Sequence, residues 1–391
     1  MKQGWEYKKL GEVCTIERGG SPRPITDYIT DSEDGINWIK IGDAQEGSKY
    51  ITSTKEKIRP EGLKKSRFVH KGDFILSNSM SFGRPYILKV DGCIHDGWLV
   101  IHDDNEIFIK DYLYYILSSP IMYAKFSQLA VGGVVNNLNS SLVRKVTIPL
   151  PPKSTQLAIV SELDKINELI RLKKEQLKDY DNLAQSIFYD MFGDPVENEK
   201  GWEVKKLGEV CSQITDGTHN SPTNTKNGDF KYVTAKNIKK EGIVLDNITY
   251  VDADTHHSIY SRCNPEYGDI LYIKDGATTG IATINNLNEE FSLLSSVALL
   301  KLEDKIINYY LKAVLNTPSL YNCIRTNMGG AAITRLTLVK IKAIKIPLPP
   351  LPLQHLFAQR IEHIERQKSA VQQSITDLET LLASRMQYWF E

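Results

Sequence analysis

Few side chains of this sequence stand at spacings that could perform chemistry. Asp194 followed by Glu203-Val204-Lys205 imitates the D…E-x-K arrangement, in which carboxylates position a cation and a water on a phosphate. Its twin, Glu6-Tyr7-Lys8, has no acid upstream, and both segments precede a capped apolar stretch, so a repeated strand opening a domain is the expected role. The histidines, including adjacent His256 and His257, lack zinc-ligand spacing. Five cysteines, Cys14, Cys93, Cys211, Cys263 and Cys323, are scattered without a C-x-x-C pair, so reduced and mostly buried thiols are expected, with no disulfide framework. No G-x-x-x-x-G-K-[S/T] loop is present to cradle phosphates. No Asn/Asp-Pro-Pro-aromatic loop is present to hold a flipped adenine, since Pro-Leu-Pro-Pro lacks an amide or carboxylate to receive the base's amino group. The chain is expected to hold no catalytic, metal-ligating or cofactor-binding residue, which leaves a nuclease or methylase in its own right as the least favoured alternative.

The elements that position the remaining residues follow from composition and repetition. At 391 residues, 41% hydrophobic and 25% charged, the chain has the composition of a globular protein of two or three domains. The opening Met1-Lys2-Gln3-Gly4-Trp5-Glu6 has no apolar core and no run of about 18 apolar residues follows, so a cytoplasmic protein is expected. Lys+Arg and Asp+Glu both total 48, and residues 1–152 carry 20 basic against 18 acidic groups, a balance that weighs mildly against phosphate binding unless basic groups gather on one face or a partner supplies them.

The chain is a duplication. Gly4-Trp5-Glu6-Tyr7-Lys8-Lys9-Leu10-Gly11-Glu12-Val13-Cys14 returns as Gly201-Trp202-Glu203-Val204-Lys205-Lys206-Leu207-Gly208-Glu209-Val210-Cys211. Ile148-Pro149-Leu150-Pro151-Pro152 with Gln156 returns as Ile346-Pro347-Leu348-Pro349-Pro350 with Gln354. Between these ends only landmarks recur: Gly72-Asp73 with Gly268-Asp269, and Gly132-Gly133 with Gly329-Gly330. Similar scaffolds with different surfaces are expected. Strands are expected at residues 38–41, 74–76, 98–101, 232–234, 270–273 and 296–302, and helices at 110–117 and 306–315, giving two α+β domains.

After each Pro-Pro pair comes a heptad stripe free of internal glycine. Ile159, Leu163, Ile166, Ile170, Lys173, Leu177, Tyr180, Ala184, Ile187 and Met191 are answered by Phe357, Ile361, Ile364, Lys368, Val371, Ile375, Leu378, Leu382, Arg385 and Trp389. Each helix of about 36 residues would run roughly 54 Å, longer than a small domain is wide. The two helices are therefore expected to pair with each other as a coiled coil, ahead of the alternative that each is a core helix of its own domain. Leu163, Ile166, Ile170, Leu177, Ile361, Ile364, Val371, Ile375 and Leu378 are the expected helix–helix contacts.

The order of variable region, Ile-Pro-Leu-Pro-Pro, heptad helix, Met191-Phe192-Gly193-Asp194-Pro195, Gly201-Trp202, variable region, Ile-Pro-Leu-Pro-Pro and heptad helix resembles the specificity subunit of type I restriction-modification systems over essentially the whole chain. The second helix departs from the pattern by ending in Met386-Gln387-Tyr388-Trp389-Phe390-Glu391 without the Phe-Gly-Asp-Pro turn. The resemblance implies target-recognition domains at 1–152 and 194–350, and spacer helices at 153–193 and 351–391 forming an antiparallel coiled coil with pseudo-twofold symmetry. It also implies double-stranded DNA as a partner, read at a bipartite and asymmetric site. Two copies of an adenine methyltransferase subunit would sit on the helices and hold S-adenosylmethionine. Restriction subunits, where the system has them, would hold ATP and Mg. A duplicated coiled-coil scaffold without DNA specificity is the rival reading, favoured by the neutral charge.

Reading base edges needs Arg or Lys for guanine, Asn or Gln for adenine, and Ser or Thr for several edges. The first domain offers Arg18 and Ser21; Asn78 and Ser79 with Arg84; and Asn136, Asn137 and Asn139. The second offers Thr218, His219 and Asn220; Lys274 with Thr278 and Thr279; and Asn327 with Thr334 and Arg335. The competing account is backbone turn chemistry, which gathers the same residue types.

Overall fold

The computed structural model describes residues 2, 4–45, 47–78, 83–130, 138–326 and 335–391. The chain divides into two compact units, Met1–Lys173 with Ser374–Glu391, and Lys174–Gln373. Each unit thus holds one variable region and a stretch of both long helices.

Within a unit, the two ends of the repeated sequence meet. Strand Glu6–Lys9 pairs antiparallel with Thr147–Leu150, Glu6 opposite Leu150 and Lys9 opposite Thr147. Glu203–Lys206 pairs in the same way with Lys345–Leu348. Pro149 and Pro347 are tolerated because a two-stranded ribbon has a free edge for a residue that cannot donate. One helical turn follows each first strand. The Glu12 carboxylate accepts the Lys9 N–H (3.1 Å) and Glu209 that of Lys206 (2.7 Å), which satisfies donors a helix start leaves open. Leu10, Val13, Leu207 and Val210 turn inward, and Cys14 and Cys211 follow them into the core, where burial pushes both thiols up to about 12.

The first unit carries one five-stranded sheet ordered Thr15–Arg18, Trp98–His102, Phe74–Ser77, Pro85–Leu88 and Tyr50–Ile51, and a second ordered Ile29–Thr30, Glu56–Ile58, Ile36–Ile39, Gly92–Ile94 and Arg67–Val69. Its central strands are buried on both faces and alternate between two cores. Phe74, Leu76, Leu99 and Ile101 face the helices Lys110–Ser118 and Pro120–Ala130, whereas Ile75, Trp98 and Val100 join Ile39, Val69 and Leu88. The second unit repeats this with a four-stranded sheet ordered Cys211–Asp216, Val297–Leu302, Ile270–Ile273 and Ala282–Ile284. Ile270, Tyr272, Ala298 and Leu300 face the helices there, and Leu271, Ile273, Val297 and Leu299 the other core. The expected strand at 38–41 forms as Ile36–Ile39, because Ile41–Asp43 takes a 3-10 turn in which Asp43 accepts the Lys40 N–H at 2.8 Å.

The glutamine after each Pro-Pro pair is a buried clamp. Gln156 Oε1 accepts the Ile109 N–H (2.8 Å), while its amide donates to the carbonyls of Pro151 (3.0 Å) and Ile107 (3.3 Å). Gln354 makes the same bonds to Ile307 (2.9 Å), Pro349 (2.8 Å) and Lys305 (3.4 Å). Beside them the buried hydroxyls of Tyr112 and Tyr310 donate to the Pro149 and Pro347 carbonyls at 3.0 and 2.7 Å. Ribbon, short helix and long helix are thereby tied at one point in each unit.

The long helices span Lys153–Phe192 and Leu351–Phe390, 40 residues each, starting directly after the Pro-Pro pairs. In the second unit Phe357 packs on Phe188 and Phe192, with ring centroids 5.8 and 5.3 Å apart, and Lys368 pairs with Asp181 at 2.7 Å. Numbering rises along one helix as it falls along the other, so the pair is antiparallel. In the first unit Arg385 meets Glu162 (3.1 Å to Oε2), the Trp389 indole N–H donates to the same carboxylate (3.1 Å), and Trp5 stacks on Trp389 at 6.3 Å. Lys368 and Arg385, the polar interruptions of the second stripe, thus face acids on the partner helix and act as register markers. Of the expected contacts, Leu163, Ile166, Ile170, Ile361, Ile364, Val371 and Ile375 are buried, and Leu177 and Leu378 half-buried. Ile159 and Leu163 also belong to a domain core, so the helix pairs with its partner and supports its domain at once.

Gln354→Leu leaves the Ile307 N–H and the Pro349 carbonyl unpaired inside the protein, and should cost about 3 kcal/mol of the second unit's stability, read from urea unfolding. Reversing one charge, Glu162→Arg or Arg385→Glu, should cost about 1 kcal/mol, and the double reversal should recover most of it in calorimetry. The hydrogen bond from Arg385 holds the Glu162 carboxyl below its ordinary value, against the opposing effect of burial. A depressed folded pKa stabilises above the unfolded value of about 4.3, so the advantage of the native chain over Glu162→Gln should shrink as pH falls below about 4.

Candidate nucleic-acid interface

Three backbone hydrogen bonds build the same loop frame at the ends of the central strands in both units. The Asn78 N–H donates to the Gly97 carbonyl (2.9 Å) and the Lys274 N–H to that of Ser296 (2.9 Å). The Asn78 carbonyl accepts the Leu138 N–H (2.9 Å), as that of Lys274 accepts Leu336 (2.8 Å). The Gly83 N–H reaches Ser77 (2.7 Å), and that of Gly280 reaches Ile273 (2.8 Å). Gly83 and Gly280 take φ of +78° and +103°, and an added Cβ would press on Phe126 and Tyr321 at 3.0 Å, so these turns call for glycine. Asn78 and Lys274 therefore occupy one backbone position, and Gly97 and Ser296 another.

In the first unit the loops converge on Asp96. Its carboxylate accepts Ser21 Oγ (3.0 Å) and Arg23 Nη2 (3.3 Å), and lies 3.0 Å from His95 Nε2. The Gly97 N–H points at His95 Nδ1 at 2.9 Å. The Asp96 carbonyl accepts Arg18 Nε (2.9 Å) and the Asn78 amide (3.0 Å). Burial raises the Asp96 pKa, but His95, Ser21, Arg18 and Arg23 together bring it below the ordinary value. Arg18 is exposed, with its terminal guanidinium nitrogens unpaired among the described residues, and Arg67 donates to the Arg18 carbonyl (2.9 Å) and pairs with Glu17 (2.8 Å). Asn78 is buried, and its Oδ1 has no partner among the described residues. Arg84 is exposed, and its backbone N–H donates to Ser77 Oγ (3.0 Å). Asn139 caps the helix Ser140–Val143 by accepting the Leu142 N–H at 3.0 Å, which is the turn role of its type. Ser79, Asn136 and Asn137 lie outside the described residues, as do Met80, Ser81 and Gly132-Gly133.

The second unit fills the same frame differently. Lys274 is buried, with its ammonium 3.3 Å from Asp216 and 3.1 Å from Asp275. A buried ammonium needs such partners. His219 lies 3.3 Å and Arg262 3.8 Å from the same Asp216 carboxylate, and Arg335 pairs with Asp275 at 3.2 Å. Thr218 donates to the Asn220 carbonyl (3.0 Å), and buried Thr279 to that of Gly276 (2.7 Å). His219, Asn220, Thr278 and Arg335 stay exposed. Thr278 borders a cleft of about 900 Å³, together with Tyr232, Lys236, Lys239, Asn247 and Ser296. Asn327 and Thr334 lie outside the described residues, as does Gly329-Gly330.

Thus Arg18, Ser21 and Asn78 are brought together around one turn, and Thr218, His219, Lys274 and Arg335 around Asp216 and Asp275. His95, Asp96, Arg23, Arg67, Arg262 and the cleft residues other than Thr278 are additions that the sequence reading does not contain. His95-Asp96-Gly97 does stand as a polar turn between two apolar runs, a signal that was present. The D…E-x-K imitation dissolves: Asp194 accepts the Val196 N–H (2.8 Å) in the turn after the first long helix, and Lys205 pairs with Glu203 (2.6 Å). No group of three metal-ligating side chains occurs among the described residues.

Comparison with known proteins agrees with this duplicated architecture. The family model described as type I restriction modification DNA specificity domain matches residues 2–179 and again 199–380. The type I restriction enzyme MjaIX specificity subunit of Methanocaldococcus jannaschii is 23% identical over 391 residues, covering 93% of this chain and 87% of its own. A chain solved in work on complex assembly and conformational transition of the type I R-M system has a TM-score of 0.65 at 20% identity, covering 99% of this chain and 97% of that one. The type I S subunit from M. genitalium has a TM-score of 0.52 at 15% identity, covering 100% and 98%. Matched by one family model in each half, the chain belongs to the type I restriction-modification DNA specificity family, the non-catalytic specificity subunits of those systems.

Proposed function

We propose that the two loop clusters read two different half-sites of one interrupted, asymmetric DNA sequence, while the long helices carry two copies of a methyltransferase subunit. The observation that carries this reading is the shared frame with unlike side chains: Asn78 opposite Gly97 in one unit, Lys274 opposite Ser296 in the other. A constant backbone with exchanged loop residues is what reading different bases from a common scaffold requires. Exposed Arg18, held through Nε, has terminal nitrogens available for the two acceptors of a guanine edge. Adenine methylation would use S-adenosylmethionine on the partner subunit, and restriction subunits, where the system has them, would bring ATP and Mg. No helix among the described residues is long and apolar enough to cross a membrane, and the cytoplasm, where its DNA lies, is the proposed location. The scaffold reading draws on the balance of 48 basic and 48 acidic residues, and a salt-sensitive, sequence-specific gel shift with the assembled complex would exclude it.

Methylome sequencing of cells expressing the chain with its methyltransferase, against cells lacking it, should show N6-methyladenine at one asymmetric interrupted motif; absence of any new motif would favour the scaffold. Arg18→Ala in that complex should weaken binding by about 1–3 kcal/mol and relax only the half-site of the first unit. Replacing Leu177 and Ile375 by Glu should uncouple DNA recognition from methyltransferase assembly, and unchanged co-purification and site specificity would refute the helices' spacer role.

A further inference from the structure

The helices Lys110–Ser118 and Asn308–Asn316 are counterparts, fixed by the Tyr112 and Tyr310 hydroxyls on the equivalent carbonyls of Pro149 and Pro347. Counting from those tyrosines, Tyr114 and Tyr115 in the first unit correspond to Lys312 and Ala313 in the second. Tyr115 is buried, and its phenol bonds to Asp164 and accepts the Asn167 amide at 3.1 Å, filling the angle between domain and long helix. Lys49 stands over that ring at 5.4 Å. Where Ala313 takes its place, the second unit has an open cavity of about 350 Å³.

The walls of this cavity are what a Tyr115-like ring would touch. Phe188, Tyr309, Phe357 and Ile361 supply apolar surface, while Glu365 takes the position of Asn167, whose amide donates to the phenol in the first unit, and offers there a carboxylate that accepts a hydroxyl proton instead. Lys368 beside it pairs with Asp181 at 2.7 Å and Glu365 at 3.6 Å. Lys312 also lines the space, and burial lowers its ammonium pKa, with Glu365 acting the other way. The exposed wall area is mostly apolar, but charged side chains, among them Asp181, Lys240, Glu241 and Lys368, ring the opening, so the site offers an aromatic and aliphatic floor under a polar rim, a form that suits a ring carrying a polar substituent.

We propose that this cavity of the second unit binds a small phenol-like aromatic group, a flat ring with one hydrogen-bonding substituent directed at Glu365, in the place that Tyr115 fills in the first unit. The inference is independent of DNA reading. A free phenol and a tyrosine tip of a bound subunit present the same group, and the two sources are separable by experiment.

The probe is p-cresol, the tyrosine side chain itself, titrated into the full chain by saturation-transfer NMR and calorimetry, in complex with its methyltransferase and alone. A dissociation constant on the order of 1 mM is expected for a ligand of this size, with toluene about tenfold weaker because it lacks the hydroxyl. Ala313→Tyr should abolish cresol binding and raise the melting temperature. Glu365→Leu, a second variant should the first misfold, should erase the preference for cresol over toluene. No cresol binding to the native chain, binding undiminished by Ala313→Tyr, or a cresol preference surviving Glu365→Leu would each overturn the proposal. Cresol binding to the free chain that vanishes on methyltransferase assembly assigns the group to the partner, and binding retained in the complex assigns it to a free ligand. A methylome unchanged in Ala313→Tyr would leave the DNA-reading function intact whichever way the cavity is decided.

Discussion

Everything in each unit hangs on the pairing of its first strand with its last. Glu6–Lys9 on Thr147–Leu150, and Glu203–Lys206 on Lys345–Leu348, bring distant parts of the sequence together beside the start of a long helix. The side chains at the junction, Gln156, Gln354, Tyr112 and Tyr310, are buried, so their polar groups need partners inside the protein. Gln156 and Gln354 meet that demand with three bonds each, and Tyr112 and Tyr310 add a fourth. With the base of the unit closed by these bonds, the loops beyond the central strands are released from any duty in holding the ends together, and can vary.

The helix pair solves a different problem. A purely apolar seam would let two long helices slide by a turn, because neighbouring registers bury similar surface. Lys368 opposite Asp181 and Arg385 opposite Glu162 bias the choice of register, since a slip of one turn separates both pairs, each partly exposed and worth about 1 kcal/mol at most. What looks in the sequence like an imperfect stripe is therefore the part that specifies alignment. Aromatic rings do the same at the helix ends, where Phe188 and Phe192 pack on both Tyr310 and Phe357, and Trp5 lies flat against Trp389.

How much of this was legible in the sequence depends on the range over which each residue's role is decided. The heptads are local, and their period declares a helix before any partner is known. The duplicated segments were plain as repeats, but that they pair with each other was not, because strand partners lie far apart in the chain and no local pattern names them. Lys274 was legible as a cation in a loop. Its burial between Asp216 and Asp275 arises only where three loops converge. Asp96 escaped notice for the converse reason: an aspartate in a turn is unremarkable until Ser21, Arg23 and His95 close on it. Ala313 carries no signal alone and gains one only when set against Tyr115.

The closure of each unit on its own near-identical ends has a genetic consequence. The segment from Gly201 to Cys211 differs from Gly4 to Cys14 at one residue, and the closing Ile-Pro-Leu-Pro-Pro is the same in both copies. A crossover within these stretches, between two such genes or between the halves of one, transfers a whole loop set while leaving every ribbon bond, glutamine clamp and tyrosine–proline contact in place. New combinations can then arise by exchange in a single step, without passing through misfolded intermediates, and the lineage keeps its architecture while its repertoire turns over.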